Sequence, residues 1–86
     1  MSATEFTVDD LKRILHQAAG AGDEMGPDSA VLDSTFENLG FESLALLETS
    51  ALIQREFGVR IEESTLAEDL TPRVLIESVN AQLATS

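Results

Sequence analysis

The sequence contains no cysteine, which excludes disulfides, thiolate metal sites and a cysteine nucleophile. This lack is also consistent with a protein of the reducing cytoplasm. Histidine occurs once, as His16, with no serine or carboxylate at a spacing that would make it a catalytic base. We therefore expect no catalytic residue and no enzyme activity.

Basic residues are also few. Five Lys and Arg stand against sixteen Asp and Glu, which gives a formal net charge of −11. A chain of this charge is not expected to bind nucleic acid or an anionic membrane surface, and its partners should present basic docking surfaces. Like charge also disfavours self-association, so a monomer is expected. No apolar run approaches about 18 residues, and residues 1–6 lack the basic and apolar regions of a signal peptide, so we expect a cytoplasmic protein.

The acidic residues do not form a recognisable metal site. Asp23, Glu24, Asp28 and Asp33 lack the alternating ligand spacing of an EF-hand loop. The nearby glycines do not lead into a Lys-Ser or Lys-Thr pair, as a phosphate-binding loop would require. We therefore expect no metal site, and we expect the glycines to serve a loop.

Apolar spacing and end signals predict an all-α fold. A cap at Thr7 predicts a first helix over residues 8–19, and the strongest apolar periodicity predicts a second over 42–57. A short helix of one or two turns is expected after a cap at Ser64, and the proline of a Thr-Pro pair predicts a last helix over 72–84. The result is a small antiparallel four-helix bundle, with three main helices and one short one.

Residues 20–40 form the long loop between the first and second helices. This connection is rich in Gly, Asp and Ser, and is long for a compact domain unless apolar residues tie it down. We expect a short helical turn at 33–38 and docking of four apolar side chains on the bundle, namely Val31, Leu32, Phe36 and Leu39. With 86 residues and no linker composition, residues 1–86 are predicted to form a single domain.

Ser43 stands directly after Glu42 at the start of the most regular predicted helix. It is open to two interpretations: a helix cap, or the attachment point of an anionic group that the positive end of the helix would favour. The chain has no Lys or Arg between Ile14 and Gln54 but seven acidic residues there, which favours a functional serine in an acidic field. Leu44 and Leu47 lie off the inward stripe and are expected near the surface.

The segment Leu39-Gly40-Phe41-Glu42-Ser43-Leu44, with Glu48, Phe57-Gly58 and Ile61, resembles the Leu-Gly-x-Asp-Ser-Leu motif and second helix of acyl carrier proteins. The resemblance covers nearly the whole chain. Residues 33–40 and Thr71-Pro72-Arg73 are most similar to the discrete carriers of bacterial aromatic (type II) polyketide synthases.

This resemblance implies that Ser43 accepts 4′-phosphopantetheine from coenzyme A, and that the thiol of the arm holds malonyl and growing polyketide chains as thioesters. It also implies a partner-binding face read by the phosphopantetheinyl transferase, the malonyl acyltransferase, the ketosynthase and tailoring enzymes. That face comprises Glu42, Leu44, Leu47, Glu48 and Glu56. Glu42 departs from the Asp that is usual in the family, which leaves the choice of transferase open.

Two alternatives share this pattern: a fatty-acid acyl carrier protein, and an acidic helical interaction module without the arm. A further hypothesis concerns the carried chain, which we expect to slip between the second and last helices. The side chains expected to line that space are Leu46, Leu47, Leu75 and Ile76.

Overall fold

A computed structural model of the protein describes residues 5–20 and 27–85. Every regular element within these ranges is helical, which confirms the all-α prediction. The elements are α1 (Val8–Ala19), α2 (Asp28–Asp33), α3 (Ser43–Phe57), a 3-10 turn (Glu63–Thr65) and α4 (Pro72–Thr85).

The bounds of α1 agree with the prediction, and its ends show why. At the N-terminus Thr7 Oγ1 accepts a hydrogen bond from the Asp10 N–H at 3.2 Å, and the Thr7 N–H donates to Asp10 Oδ2 at 3.1 Å. This reciprocal pair is a capping box, which satisfies two backbone donors at once. At the C-terminus Gly20 adopts the left-handed conformation, with φ of 69°, and donates to His16 O at 2.8 Å.

The long connection contains a helix that the sequence did not predict. α2 begins after Pro27, whose carbonyl accepts hydrogen bonds from Ala30 and Val31 at 3.0 and 3.1 Å. The helical turn expected at 33–38 lies two to three residues later, at 36–40, because α2 extends to Asp33; the Leu39 N–H donates to Thr35 O at 3.0 Å in this turn. Six residues with a single buried side chain, Val31, give too weak an apolar period to be predicted. Gly22 is a second glycine of this connection that could end a helix, and it lies outside the described residues.

The predicted short helix is a single 3-10 turn, at Glu63–Thr65. Its N-cap position is occupied by Glu62, so the expected cap at Ser64 was wrong. Leu66, which follows this turn, is half-buried against the core. α4 starts at Pro72, and Thr71 Oγ1 accepts the Val74 N–H at 3.3 Å, which confirms the predicted start of this helix.

One core joins the described helices. Its largest fully buried side chains come from the segment before α1, from α1 itself, from the connection, and from α3 and α4: Phe6, Leu11, Ile14, Leu15, Phe36, Ile53, Leu75 and Val79. The rings of Phe6 and Phe57 meet edge to face with centroids 4.9 Å apart, which fixes the end of α3 against the start of the chain. No helix in the described ranges has the length and apolar character needed to cross a bilayer.

Candidate functional site

Ser43 is the first residue of α3, and its side chain is exposed. Its hydroxyl has no hydrogen-bond partner among the described residues. The N-cap position belongs to Glu42, whose side chain makes no capping hydrogen bond, so α3 begins one residue later than predicted. The interpretation of Ser43 as a helix cap was therefore wrong, and its hydroxyl is left free for another role.

The turn at residues 36–40 sets the position of Ser43. Gly40 has a φ of 91°, which favours glycine, and its N–H donates to Glu37 O at 3.0 Å. The Phe41 N–H then donates to Phe36 O at 3.0 Å, and the two rings pack edge to face with centroids 6.2 Å apart. The Phe36 N–H donates in turn to Leu70 O at 3.1 Å. The serine therefore follows a turn that is anchored both in the core and to the segment that precedes α4.

The N-terminus of α3 is suited to an anion attached to Ser43. The first helical hydrogen bond runs from the Leu46 N–H to Glu42 O at 3.1 Å. The N–H groups of Ser43, Leu44 and Ala45 precede this bond and have no partner within the helix. Together with the helix dipole they place about half a positive charge at this end. A phosphodiester on Ser43 would lie where the backbone favours negative charge.

Four of the predicted partner-binding residues lie with Ser43 in the first half of α3 or directly before it. Glu42, Leu44, Leu47 and Glu48 are all exposed, with 69% of the Leu44 and 39% of the Leu47 residue surface accessible. Leu44 and Leu47 are three positions apart, so the two exposed leucines share one face of α3 and form an apolar patch there. We call these four residues and Ser43 the carrier face.

Glu56, the fifth predicted residue, lies apart from the carrier face. Its carboxylate forms a two-pronged ion pair with the guanidinium of Arg13 on α1. This hydrogen bonding raises the pKa of Arg13, and the Asp10 carboxylate adds to the effect. Sequence spacing does not reveal the pair, because the two residues are 43 positions apart.

The region between Ile14 and Gln54 contains no Lys or Arg. Two of its acidic residues form ion pairs with basic residues that lie outside this region. Lys12 contacts Asp28 at 2.5 Å, and Arg73 Nε donates to Asp33 Oδ1 at 2.9 Å. The hydrogen bond from Arg73 lowers the pKa of Asp33, and the attraction between their charges acts in the same direction. The negative charge of α2 is therefore largely compensated.

The acidic residues nearest to Ser43 are not paired. Glu37, Glu42 and Glu48 are exposed and have no ion pair within the described residues. Unpaired carboxylates therefore lie on both sides of the serine along the chain, in agreement with the acidic field that the sequence predicted. Asp23 and Glu24 lie outside the described residues.

Two depressions beside Ser43 are lined partly by residues that sequence reasoning missed. A depression of about 520 Å³ is bounded by Glu37, Gly40, Leu66, Ala67 and Glu68, among others. One of about 240 Å³ is lined by Ser43, Leu46, Leu47, Glu63 and Leu66. The sequence did not assign Glu63, Leu66, Ala67 or Glu68 to the site. Four residues were expected to line a space for the acyl chain. Leu46 and Leu47 line these depressions, whereas the buried Leu75 and the half-buried Ile76 line neither.

Metal-ligating side chains do not cluster in the described part of the chain. No group of three or more His, Asp or Glu residues there is placed to hold an ion. The chemistry of the site is therefore that of one free hydroxyl at a helix N-terminus, with acidic and apolar side chains around it.

Comparison with known proteins agrees with this geometry. The family described as phosphopantetheine attachment site matches residues 9–79. The monensin polyketide synthase acyl carrier protein of Streptomyces virginiae is 55% identical over 84 residues, which are 98% of this chain and 94% of the relative. The granaticin polyketide synthase acyl carrier protein of Streptomyces violaceoruber is 45% identical over 92% of this chain and 93% of its own.

A solved structure shares the fold. The solution structure of the 3,5-dioxohexyl acyl carrier protein from the actinorhodin polyketide synthase of Streptomyces coelicolor superposes with a TM-score of 0.81. It is 39% identical in sequence, and the match covers 99% of both chains.

Proposed function

The chain belongs to the acyl carrier proteins of polyketide synthases, and we propose that Ser43 is the residue to which its 4′-phosphopantetheine is attached. Phosphopantetheine is the cofactor of this family. When attached, it supplies a terminal thiol that holds malonyl and growing polyketide chains as thioesters.

One observation supports the assignment most strongly: the Ser43 hydroxyl is exposed and has no hydrogen-bond partner among the described residues. It can therefore react without breaking a contact that stabilises the fold. The unpaired N–H groups at the start of α3 would stabilise the phosphodiester once formed. The depressions beside Ser43 leave room for an arm to leave the surface.

We propose that the carrier face is the surface that synthase enzymes contact. Glu42 and Glu48 would attract basic docking surfaces, and Leu44 and Leu47 would be buried on contact. The partners proposed are the phosphopantetheinyl transferase, the malonyl acyltransferase, the ketosynthase and tailoring enzymes. Glu56 would contribute little to these contacts, because its carboxylate already forms an ion pair with Arg13.

The protein is proposed to act as a carrier and not as a catalyst, which its carrier relatives support. We further propose that residues 1–86 form one carrier domain, that it is a monomer, and that it works in the cytoplasm. The net charge of −11 supports the monomer, and the lack of cysteine supports the reducing compartment. The relatives are carriers of polyketide synthases, so they favour this function over a fatty-acid carrier or a module without the arm.

Loading at Ser43 is tested by intact-mass spectrometry. The protein is incubated with coenzyme A, magnesium and a broad-specificity phosphopantetheinyl transferase, alongside Ser43→Ala and Ser64→Ala. Ser64 is also exposed, so its variant is a matched control. We expect one phosphopantetheinyl group on the parent and on Ser64→Ala, and none on Ser43→Ala. Loading of Ser43→Ala, with its helical circular dichroism unchanged, would overturn the assignment.

A further inference from the structure

The two depressions beside Ser43 adjoin each other, since both are lined by Ser43, Leu46 and Leu66. We call them together the Ser43 recess. Leu46 is buried and Leu66 is half-buried against the core, so the recess has an apolar inner wall. A chain carried on Ser43 can gain apolar contact there, and the charged side chains of the recess determine which carried groups do so.

Every charged side chain that lines the Ser43 recess is a carboxylate. Glu37 and Glu42 come from the segment before α3, and Glu63 and Glu68 come from the segment between α3 and α4. All four residues are exposed, and none has an ion pair within the described part of the chain. Two separate segments therefore bring uncompensated negative charge to the same recess.

The basic residues of the chain do not neutralise this charge. Three of the five pair with carboxylates that lie outside the recess, namely Lys12, Arg13 and Arg73. Arg55 follows Ser43 by twelve residues on α3, which is about 18 Å along the helix axis, and Arg60 comes after the end of that helix. The residues that line the recess include neither of them.

The Ser43 recess is small compared with the range of its charges. The larger depression has a volume of about 520 Å³, which equals that of a sphere about 10 Å across. The Debye length is about 8 Å at physiological ionic strength, and an apolar wall weakens a field less than bulk water does. An anion inside the recess is therefore repelled by the carboxylates around it, whereas a neutral group is not.

The positive end of α3 does not remove this repulsion. Under the proposed function, the unpaired N–H groups at that end face the phosphodiester on Ser43, which occupies the favourable position for an anion. The phosphodiester itself adds a negative charge beside the recess. Attachment of the arm therefore strengthens the repulsion of a second anionic group.

We propose that the Ser43 recess selects carried groups by charge, admitting a neutral acyl chain and excluding a group that ends in a carboxylate. Malonyl ends in a carboxylate, whereas a growing polyketide chain is neutral. The malonyl unit therefore stays in solvent, where an enzyme can reach it, and the growing chain gains contact with Leu46 and Leu66. The proposal rests on the proposed function, because it concerns the groups that Ser43 carries.

The test compares carried groups of the same shape and different charge. Malonyl and acetoacetyl differ only in that a carboxylate oxygen of the first is replaced by a methyl group in the second. Each is attached to the arm through an amide in place of the thioester, which prevents hydrolysis. A longer pair, octanoyl and octanedioyl, adds a terminal carboxylate to a chain that reaches further. Methyl NMR shifts of Leu46 and Leu66 are measured against the unacylated arm.

Two double variants separate the recess from the overall charge. Glu63→Gln with Glu68→Gln removes two carboxylates of the recess. Glu62→Gln with Asp69→Asn removes the neighbouring acids, which are also exposed but line neither depression. Each double variant changes the net charge from −11 to −9, since two negative charges are lost.

In the parent we expect the neutral member of each pair to shift the leucine methyl signals at least threefold more than its anionic partner. The Glu63→Gln, Glu68→Gln variant should at least double the shifts caused by the anionic groups, and the Glu62→Gln, Asp69→Asn variant should leave them small. Higher salt should also reduce the difference between malonyl and acetoacetyl in the parent.

Three results overturn the proposal. Equal shifts for the neutral and anionic groups in the parent, or no shift with any group, would mean that the recess does not select by charge. Equal increases in the two double variants would mean that only the overall charge acts. Anionic groups that stay outside in both variants would mean that hydration of the carboxylate, and not the glutamates, excludes them.

Loading at Ser43 is followed by mass spectrometry in every variant, which keeps the two proposals apart. A parent that does not accept the arm contradicts the proposed function. Normal loading combined with any of the three results above contradicts only the selection by charge.

Discussion

Asn80 on α4 holds the chain just before α1 through both of its amide atoms. The Phe6 N–H donates to Asn80 Oδ1 at 2.7 Å, and Asn80 Nδ2 donates to Phe6 O at 2.9 Å. The Phe6 side chain is buried and packs on Phe57 at the end of α3. One residue pair therefore links the start of the chain to the last helix and, through Phe57, to the helix that begins at Ser43.

Replacement of Asn80 should destabilise the fold. Asn80→Ala leaves a partly buried N–H and carbonyl of Phe6 without partners, and we expect a loss of about 1–3 kcal/mol. Gln82→Ala is the control, because Gln82 makes the same pair of hydrogen bonds to the backbone of Arg60 at an exposed position. Urea unfolding monitored by circular dichroism measures the free energy of unfolding of both variants, and we expect the m value to stay unchanged. If both variants lose the same free energy of unfolding, burial of the Phe6 hydrogen bonds contributes nothing to stability.

Leu44 and Leu46 are two residues apart on α3 and should respond oppositely to truncation. Leu44 is 69% exposed, so Leu44→Ala should leave the free energy of unfolding nearly unchanged and weaken binding to the ketosynthase. Leu46 is 9% exposed, and Leu46→Ala should cost about 2–4 kcal/mol of stability. Urea unfolding and a binding titration separate the two effects. A stability loss in Leu44→Ala comparable to that of Leu46→Ala would contradict a contact role for Leu44.

The sequence predicted those parts of the fold whose signals are local. Thr7 and Asp10 form a capping box within four residues, and Gly20 and Gly58 both end helices in the left-handed conformation. These helix ends are fixed by interactions between residues that are close in sequence, and the same interactions occur at the ends of many helices. The position of Ser43 at the start of α3 followed from the same kind of evidence.

What depends on contacts between distant residues was not predictable. α2 is linked to α4 by the Asp33–Arg73 ion pair, whose members are 40 positions apart. Glu56 was assigned to the partner face, yet it pairs with Arg13 across two helices. A cap at Ser43 was one of two interpretations, because serine favours that position, but Glu42 occupies it without a side-chain hydrogen bond. Spacing along the chain contains none of this information.

The ion pair between Asp33 and Arg73 should be visible in a pH titration. Arg73 lowers the pKa of Asp33 below its ordinary value of 3.8. The stability that this carboxylate contributes is therefore present above pH 3.8 and is lost as the pH falls through the lowered pKa. We expect Arg73→Gln to raise the pKa of Asp33 towards its ordinary value, measured by NMR of the carboxyl carbon. Arg60→Gln, which removes an equal but remote charge, should leave the pKa of Asp33 low; equal pKa values in both variants would exclude the pair.

Glu42 should affect the rate of loading through its charge. Glu42→Gln removes a negative charge next to Ser43, and we expect the phosphopantetheinyl transferase to load it several-fold more slowly, most clearly at low ionic strength. Glu42→Asp keeps the charge and should load at a rate close to that of the parent. Glu77→Gln removes an exposed acid from α4 as a control. The rate of loading is followed by mass spectrometry in each variant. Equal rates for Glu42→Gln and Glu77→Gln would show that the charge next to Ser43 does not affect loading.

The depression beside Ser43 should receive part of a carried acyl chain. Leu46, Leu47 and Leu66 line about 240 Å³ next to the serine hydroxyl, so a chain on the arm can exchange water for apolar contact there. When the parent is loaded with an octanoyl thioester, we expect the methyl NMR signals of these leucines to shift relative to the unacylated form. Val31, buried in α2 and absent from this lining, is the internal reference and should not move. Leu66→Ala should reduce the shifts at Leu46 without preventing loading, because it removes part of the wall and leaves Ser43 intact. Unchanged leucine signals in the acylated parent would mean that the chain stays in solvent and that the depression serves only to let the arm leave the surface.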